Sequence, residues 1–105
     1  GSSGAGVMAG GVTALSIAVA NGQRGLAESL LEAKANVEEA DERGFRPLMS
    51  AAASGRLELC TLLLSFNAHY AATQADGKTA LLLAAGAGAE AVCELLLAAG
   101  ADPKQ

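Results

Sequence analysis

The stretch GFRPLMSAAASGRLELCTLLLSFNA, Gly44 to Ala68, decides the fold. Pro47 suits a first helical turn, where its missing N–H costs nothing. Eight residues on, the chain meets Gly55, which stops a helix in a left-handed conformation. The spacing predicts a short helix from Pro47 to Ser54. A second helix is predicted from Leu57 to Ser65, with Leu59, Leu62 and Leu63 on one face and Cys60 beside them.

The same text recurs on both sides. Gly44-Phe45-Arg46-Pro47-Leu48 is followed 33 residues later by Gly77-Lys78-Thr79-Ala80-Leu81 and preceded at the same distance by Gly11-Val12-Thr13-Ala14-Leu15. Gly22, Gly55 and Gly88 fall in register, as do Leu26, Leu59 and Val92. Leu30-Leu31, Leu63-Leu64 and Leu96-Leu97 follow, and Ala35, Ala68 and Ala101 close the set. A fixed period in this range signals a solenoid of stacked helix pairs. The equivalent helices are predicted at Ala14–Ala20 and Arg24–Glu32, and at Ala80–Ala87 and Glu90–Ala98. Thr13 and Thr79 are placed to cap with their hydroxyls, whereas Arg46 is not.

These residues resemble ankyrin repeats, through Gly-x-Thr-Pro-Leu-His-x-Ala-Ala, a Gly, a Leu-Leu pair and Gly-Ala. The likeness covers residues 8–105, as repeats of about 8–40, 41–73 and 74–105. It implies an all-α solenoid of helix–turn–helix units joined by hairpin-like finger loops. Residues 1–7 precede it, the first four reading as an expression-tag scar and the rest as a disordered lead-in. The resemblance further implies protein binding on the concave, finger-bearing face. The family's contact positions map onto Ala53 and Ser54, Asp76 and Lys78, and Gly86 and Ala87.

Departures from the family pattern carry physical consequences. Its histidine is replaced by Ser16, Met49 and Leu82. Its glycine after the second helix is kept at Gly100, becomes Asn67, which tolerates positive φ, and becomes Lys34, where strain is predicted. Its finger asparagine, a hydroxylation target in the family, is replaced by Glu38, Ala71 and Lys104.

Composition narrows the function. Apolar residues make up 51% of the chain but only Phe45, Phe66 and Tyr70 are aromatic, so the core is built from Ala, Leu and Val. The net charge of −4 comes from 7 Lys and Arg against 11 Asp and Glu, without the basic stripe that nucleic acid or an anionic membrane requires. Glu90 and Glu94 interrupt the longest apolar stretch, Ala80–Ala101, which argues against a membrane span. Two cysteines make neither a disulfide framework nor a metal quartet. They read as reduced thiols in an intracellular protein, cytoplasmic or nuclear, with no cofactor.

Candidate chemistry is sparse. A catalytic base needs an orienting partner, and His69, the only histidine, falls at the start of a finger, outside any pocket the sequence supports. Glu38, Glu39, Asp41 and Glu42 read as a solvated finger tip, or as a lure for a basic partner. The GAGAE stretch from Gly86 to Glu90 lacks the Gly-Lys-Ser/Thr ending of a phosphate cradle. Phe45, Phe66 and Arg43 are residue types that dominate interface energetics, although both aromatics equally fit packing on a neighbouring repeat.

The reading is a non-enzymatic protein–protein interaction module. Its partner-binding residues are Glu42, Arg43, Phe45, Ala53, Ser54, Phe66, Asp76 and Lys78. The alternatives are structural spacer repeats, or a regulatory domain of an enzyme or channel outside the chain. The third repeat keeps Val92, Cys93, Leu95, Leu96 and Leu97 without an evident polar cap. That predicts a fragment of a longer repeat protein, monomeric, with weak self-association through its uncapped ends.

Overall fold

A computed structural model describes residues 14–40, 44–73 and 76–100. Thr13, Asp41, Glu42, Arg43, Lys104 and the lead-in at 1–7 lie outside the described residues. The elements are α1 (Ala14–Ala20), α2 (Arg24–Glu32), α3 (Pro47–Ala53), α4 (Leu57–Ser65), α5 (Ala80–Gly86) and α6 (Glu90–Ala99). Each agrees with its predicted span to within one residue. The differences at Ser54, Ala87 and Ala99 fall at helix ends, where the cap still bonds back into the last turn.

The turn inside each repeat is built three times by the same bonds. Gln23, Arg56 and Ala89 donate their N–H to Ala18, Ala51 and Ala84 at 2.9, 2.9 and 3.0 Å. One residue earlier, Gly22, Gly55 and Gly88 donate to Val19, Ala52 and Ala85 at 3.1, 3.0 and 3.1 Å. This pair of bonds is the Schellman motif. It needs a left-handed residue at its centre and folds each second helix back along the first.

The second helices end the same way. Ala35 and Ala68 donate to Leu30 and Leu63, both at 3.0 Å, while Lys34 and Asn67 donate to Leu31 and Leu64 at 3.0 and 2.9 Å. The bonds force φ to 77° at Lys34 and 69° at Asn67, and Gly100 holds the equivalent place at 115°. The strain expected at Lys34 is therefore present, and costs on the order of 1 kcal/mol relative to glycine. At Gly100 a Cβ would also come within 2.7 Å of the Tyr70 hydroxyl oxygen.

Packing is between like elements. The first helices α1, α3 and α5 lie side by side in one layer, with α3 touching both others. The second helices α2, α4 and α6 form the layer behind, with α4 in the middle. Between the layers run Ala18, Ala51 and Ala84, all fully buried, so the backbones approach closely. Leu15, Leu48 and Leu81 and, from α4, Leu59, Leu62 and Leu63 fill the rest. Burying one such side chain contributes about 2 kcal/mol. Phe45, Phe66 and Tyr70 are half-buried and pack against this core. Among the described residues there is no strand, and the fingers are turns.

Candidate functional site

The two fingers follow one plan. The Ala35–Ala40 finger turns where Glu39 donates its N–H to the Asn36 carbonyl at 3.2 Å. Asn36 adds its side chain, whose Oδ1 accepts from the Glu38 N–H at 2.9 Å. The next finger turns where Ala72 donates to the His69 carbonyl at 3.3 Å. His69 thus stands one period after Asn36, and its ring lies tilted beside Tyr70 at 6.3 Å between centroids.

Glu38 ties the two fingers together. Its Oε1 accepts from Arg46 Nη1 at 3.2 Å, and Arg46 also reaches the Glu38 carbonyl at 3.4 Å. Its Oε2 accepts from the His69 N–H at 2.6 Å. Glu38 is accordingly half-buried rather than a solvated tip, which corrects the reading of the acidic run at that residue. Glu39 is exposed as expected. Arg46, which cannot cap α3, is employed instead as the cation of this three-way contact. In the last repeat Thr79 does cap, its Oγ1 accepting from the Leu82 N–H at 3.3 Å.

The predicted binding residues fall into two groups. Phe45 and Phe66 lie at the finger end, one just before α3 and the other at the C-cap of α4. Ala53 and Ser54 lie at the opposite end of α3, about 10 Å away for a helix of this length. Ser54 there joins Gly22, Arg24, Gly55, Arg56 and Glu58 around an open groove of ≈ 370 Å³. Asp76 and Lys78 are exposed on the second finger. Glu42 and Arg43 fall outside the described residues.

A residue absent from the sequence reading belongs with them. Ile17 is exposed on α1, and its spacing to Ala20 and Asn21 places all three on one helix face. The same face carries Ala53 and Ser54 on α3, and Leu83, Gly86 and Ala87 on α5. The signal was available: Ile17 falls between Leu15 and Ala18, off the stripe that the period assigns to the core.

The cysteines differ. Cys60 is fully buried, and burial pushes its thiol from an ordinary 9.0 up to about 12, so it stays protonated. Cys93, its equivalent, is half-buried. Among the described residues no three His, Cys, Asp or Glu are grouped to share a metal ion, and no helix is long and apolar enough to cross a membrane.

A family model described as ankyrin repeats, in three copies, matches residues 15–105. The chain belongs to the ankyrin-repeat family. A comparison with curated proteins finds no match. Ankyrin repeats are generally protein–protein interaction modules. What the side-chain arrangement offers is consistent with that use: small residues along the first-helix layer, exposed at Ala20, Asn21, Ser54, Gly86 and Ala87 and half-buried at Ala53, with charged finger residues at its edge.

Proposed function

We propose that these ankyrin repeats bind a partner protein along the exposed face of α1, α3 and α5 and the adjoining fingers, without catalysis, as part of a longer repeat protein. The observation that carries the reading is the row Ala20, Ala53 and Gly86 beside Asn21, Ser54 and Ala87. Small side chains in register across three helices let another chain approach the layer closely. Ile17 and Leu83 supply apolar contacts within the same face, and Asp76 and Lys78 supply charge at its edge. Glu42, Arg43, Phe45 and Phe66 complete the proposed surface at the finger end, where the half-buried aromatics both support the core and present an edge.

The test is affinity capture from cell lysate with the wild-type chain and with Ser54→Arg/Lys78→Glu, circular dichroism confirming that both are folded. Both positions are exposed, so the fold should survive the changes. A partner retained by the wild type and lost by the variant supports the surface. A partner retained equally by both would contradict it.

A further inference from the structure

The turn that joins the two helices of each repeat is built on a left-handed glycine, but the residue before it differs. Asn21 precedes Gly22, Ser54 precedes Gly55 and Ala87 precedes Gly88. Only the first of these carries a carboxamide. Gly22 is bound to its place: its φ is 72°, and a Cβ there would run into the Arg56 guanidinium. The fold therefore keeps a glycine directly after an asparagine, with Asn21 exposed to water.

Such a pair carries its own chemistry. A backbone nitrogen can attack the side-chain carbon of the asparagine before it, and glycine, without a Cβ, hinders that approach least. The Gly22 nitrogen loses its proton to hydroxide and bonds to Cγ of Asn21. The carboxamide C–N bond breaks, and the nitrogen leaves as ammonia by taking a proton from water. The product is a five-membered succinimide, which water opens at either carbonyl. Breaking the bond from Cγ to the Gly22 nitrogen leaves aspartate in an unchanged backbone. Breaking the bond from the main-chain carbonyl carbon leaves isoaspartate, with the chain routed through Cγ.

The folded turn holds this reaction back. Asn21 donates its N–H to the Ile17 carbonyl at 3.0 Å, as Ser54 and Ala87 donate to Ser50 and Leu83 at 3.1 Å. Those two equivalents have ψ of −2° and −6°, which continue the helix. There the next nitrogen points away from the side chain, and ring closure needs ψ to swing until that nitrogen eclipses Cβ. The swing would break the bonds from Gly22 to the Val19 carbonyl at 3.1 Å and from Gln23 to the Ala18 carbonyl at 2.9 Å. We propose that Asn21 is a site of spontaneous deamidation gated by folding, closed while the Gly22 turn is made and open when that turn opens.

The other two asparagines are less suited. Asn36 is followed by Val37, whose branched side chain crowds the attacking nitrogen, and its Oδ1 accepts from the Glu38 N–H at 2.9 Å. Asn67 is followed by Ala68, which has a Cβ. Asp76 precedes Gly77, but an ionised carboxylate is a poor electrophile. Conversion at Asn21 is one-way. Aspartate puts a negative charge at the C-terminal end of α1, where the helix dipole disfavours it. Isoaspartate adds a carbon to the backbone inside the turn, so the Gly22 and Gln23 bonds lose their register. Asn21 also stands in the row assigned above to partner binding, although the chemistry does not depend on that assignment.

The test holds the chain in mildly alkaline buffer, folded or in concentrated guanidinium chloride, and follows its peptides by mass spectrometry for a hydroxyl in place of an amino group. In denaturant Asn21 should convert fastest of the three asparagines, and Gly22→Ala should slow it. In the folded chain Asn21 should convert at least about tenfold more slowly than in denaturant, since ring closure waits on local opening. The isoaspartate form, once separated, should unfold at a lower denaturant midpoint than its parent. Asn36 or Asn67 leading in denaturant, or no slowing by Gly22→Ala, would overturn the assignment to this pair. Equal rates with and without denaturant would overturn the gate, and an unchanged midpoint would overturn the stated damage to the turn.

Discussion

The middle repeat and the two outer repeats spell nearly the same text, yet their side chains live in different surroundings. Local geometry is copied faithfully: the turn at Gly22 recurs at Gly55 and Gly88 with φ of 72°, 69° and 72°. Burial is not copied. Cys60 lies between two neighbours and is fully buried, while Cys93, with a neighbour on one side among the described residues, is half-buried. The comparison teaches that local bonds set the conformation of a repeat, whereas stacking sets what it hides. A solenoid's stability is correspondingly a sum of repeat terms and nearest-neighbour terms.

The contrast can be broken most sharply at the cysteines. A thiol-reactive probe applied to the folded chain at neutral pH should label Cys93 and spare Cys60 by orders of magnitude in rate, because the thiolate is the nucleophile and Cys60 holds its proton. Equal rates, read by mass spectrometry of the peptides, would contradict the burial difference. The same thiol makes stability depend on alkali. Its folded value lies above its unfolded one, so the stability it contributes is whole below pH 9 and is lost as the pH rises toward about 12. Denaturant midpoints should fall across that range more steeply for the wild type than for Cys60→Ala.

A smaller effect is expected where the first repeat is tied to the second. Glu38→Ala should cost about 1–2 kcal/mol in urea unfolding, since it removes a charged acceptor from both Arg46 and the His69 N–H. The partial exposure of the Arg46 ion pair keeps the figure at the low end. A loss no larger than that of Glu39→Ala would mean that the contact between fingers contributes nothing. Next comes the cap that the last repeat has and the middle one lacks. Thr79→Ala should cost up to about 1 kcal/mol, with Thr79→Ser restoring most of it. An unchanged midpoint in Thr79→Ala would show the cap to be idle.

The smallest change should be a gain. Lys34→Gly relieves a left-handed conformation that Gly100 already accommodates, and should add about 0.5–1 kcal/mol after the entropy of glycine in the unfolded chain is counted. Asn67→Gly should add less, because asparagine tolerates that region. No rise in melting temperature for Lys34→Gly would contradict the strain.

Much of this was legible in the sequence because it is local. The six helices, the Thr79 cap and the left-handed residues at Lys34 and Asn67 follow from residue types within a few positions of one another, and the period from the same text recurring every 33 residues. The candidate site was less legible. Glu38 reads as one of four neighbouring acids, and nothing nearby reveals that its carboxylate meets a backbone N–H 31 residues away. Arg46 reads only as a missing cap. Leu26 aligns with Leu59 and Val92 and so reads as core, because alignment cannot say which repeat has a neighbour. Ser54 and Phe45 are close in sequence yet stand at opposite ends of α3, which the linear text does not display.

The most direct test of the account compares Leu59→Ala with Leu26→Ala in equilibrium unfolding. The two leucines hold the same position in adjacent repeats and differ in having or lacking a covering neighbour. The account predicts a loss of about 2–5 kcal/mol for Leu59→Ala, as for any leucine removed from a packed core. It predicts less than about 1 kcal/mol for Leu26→Ala, as for an exposed site. Equal losses would contradict the claim that stacking, rather than position within the repeat, decides what these residues contribute.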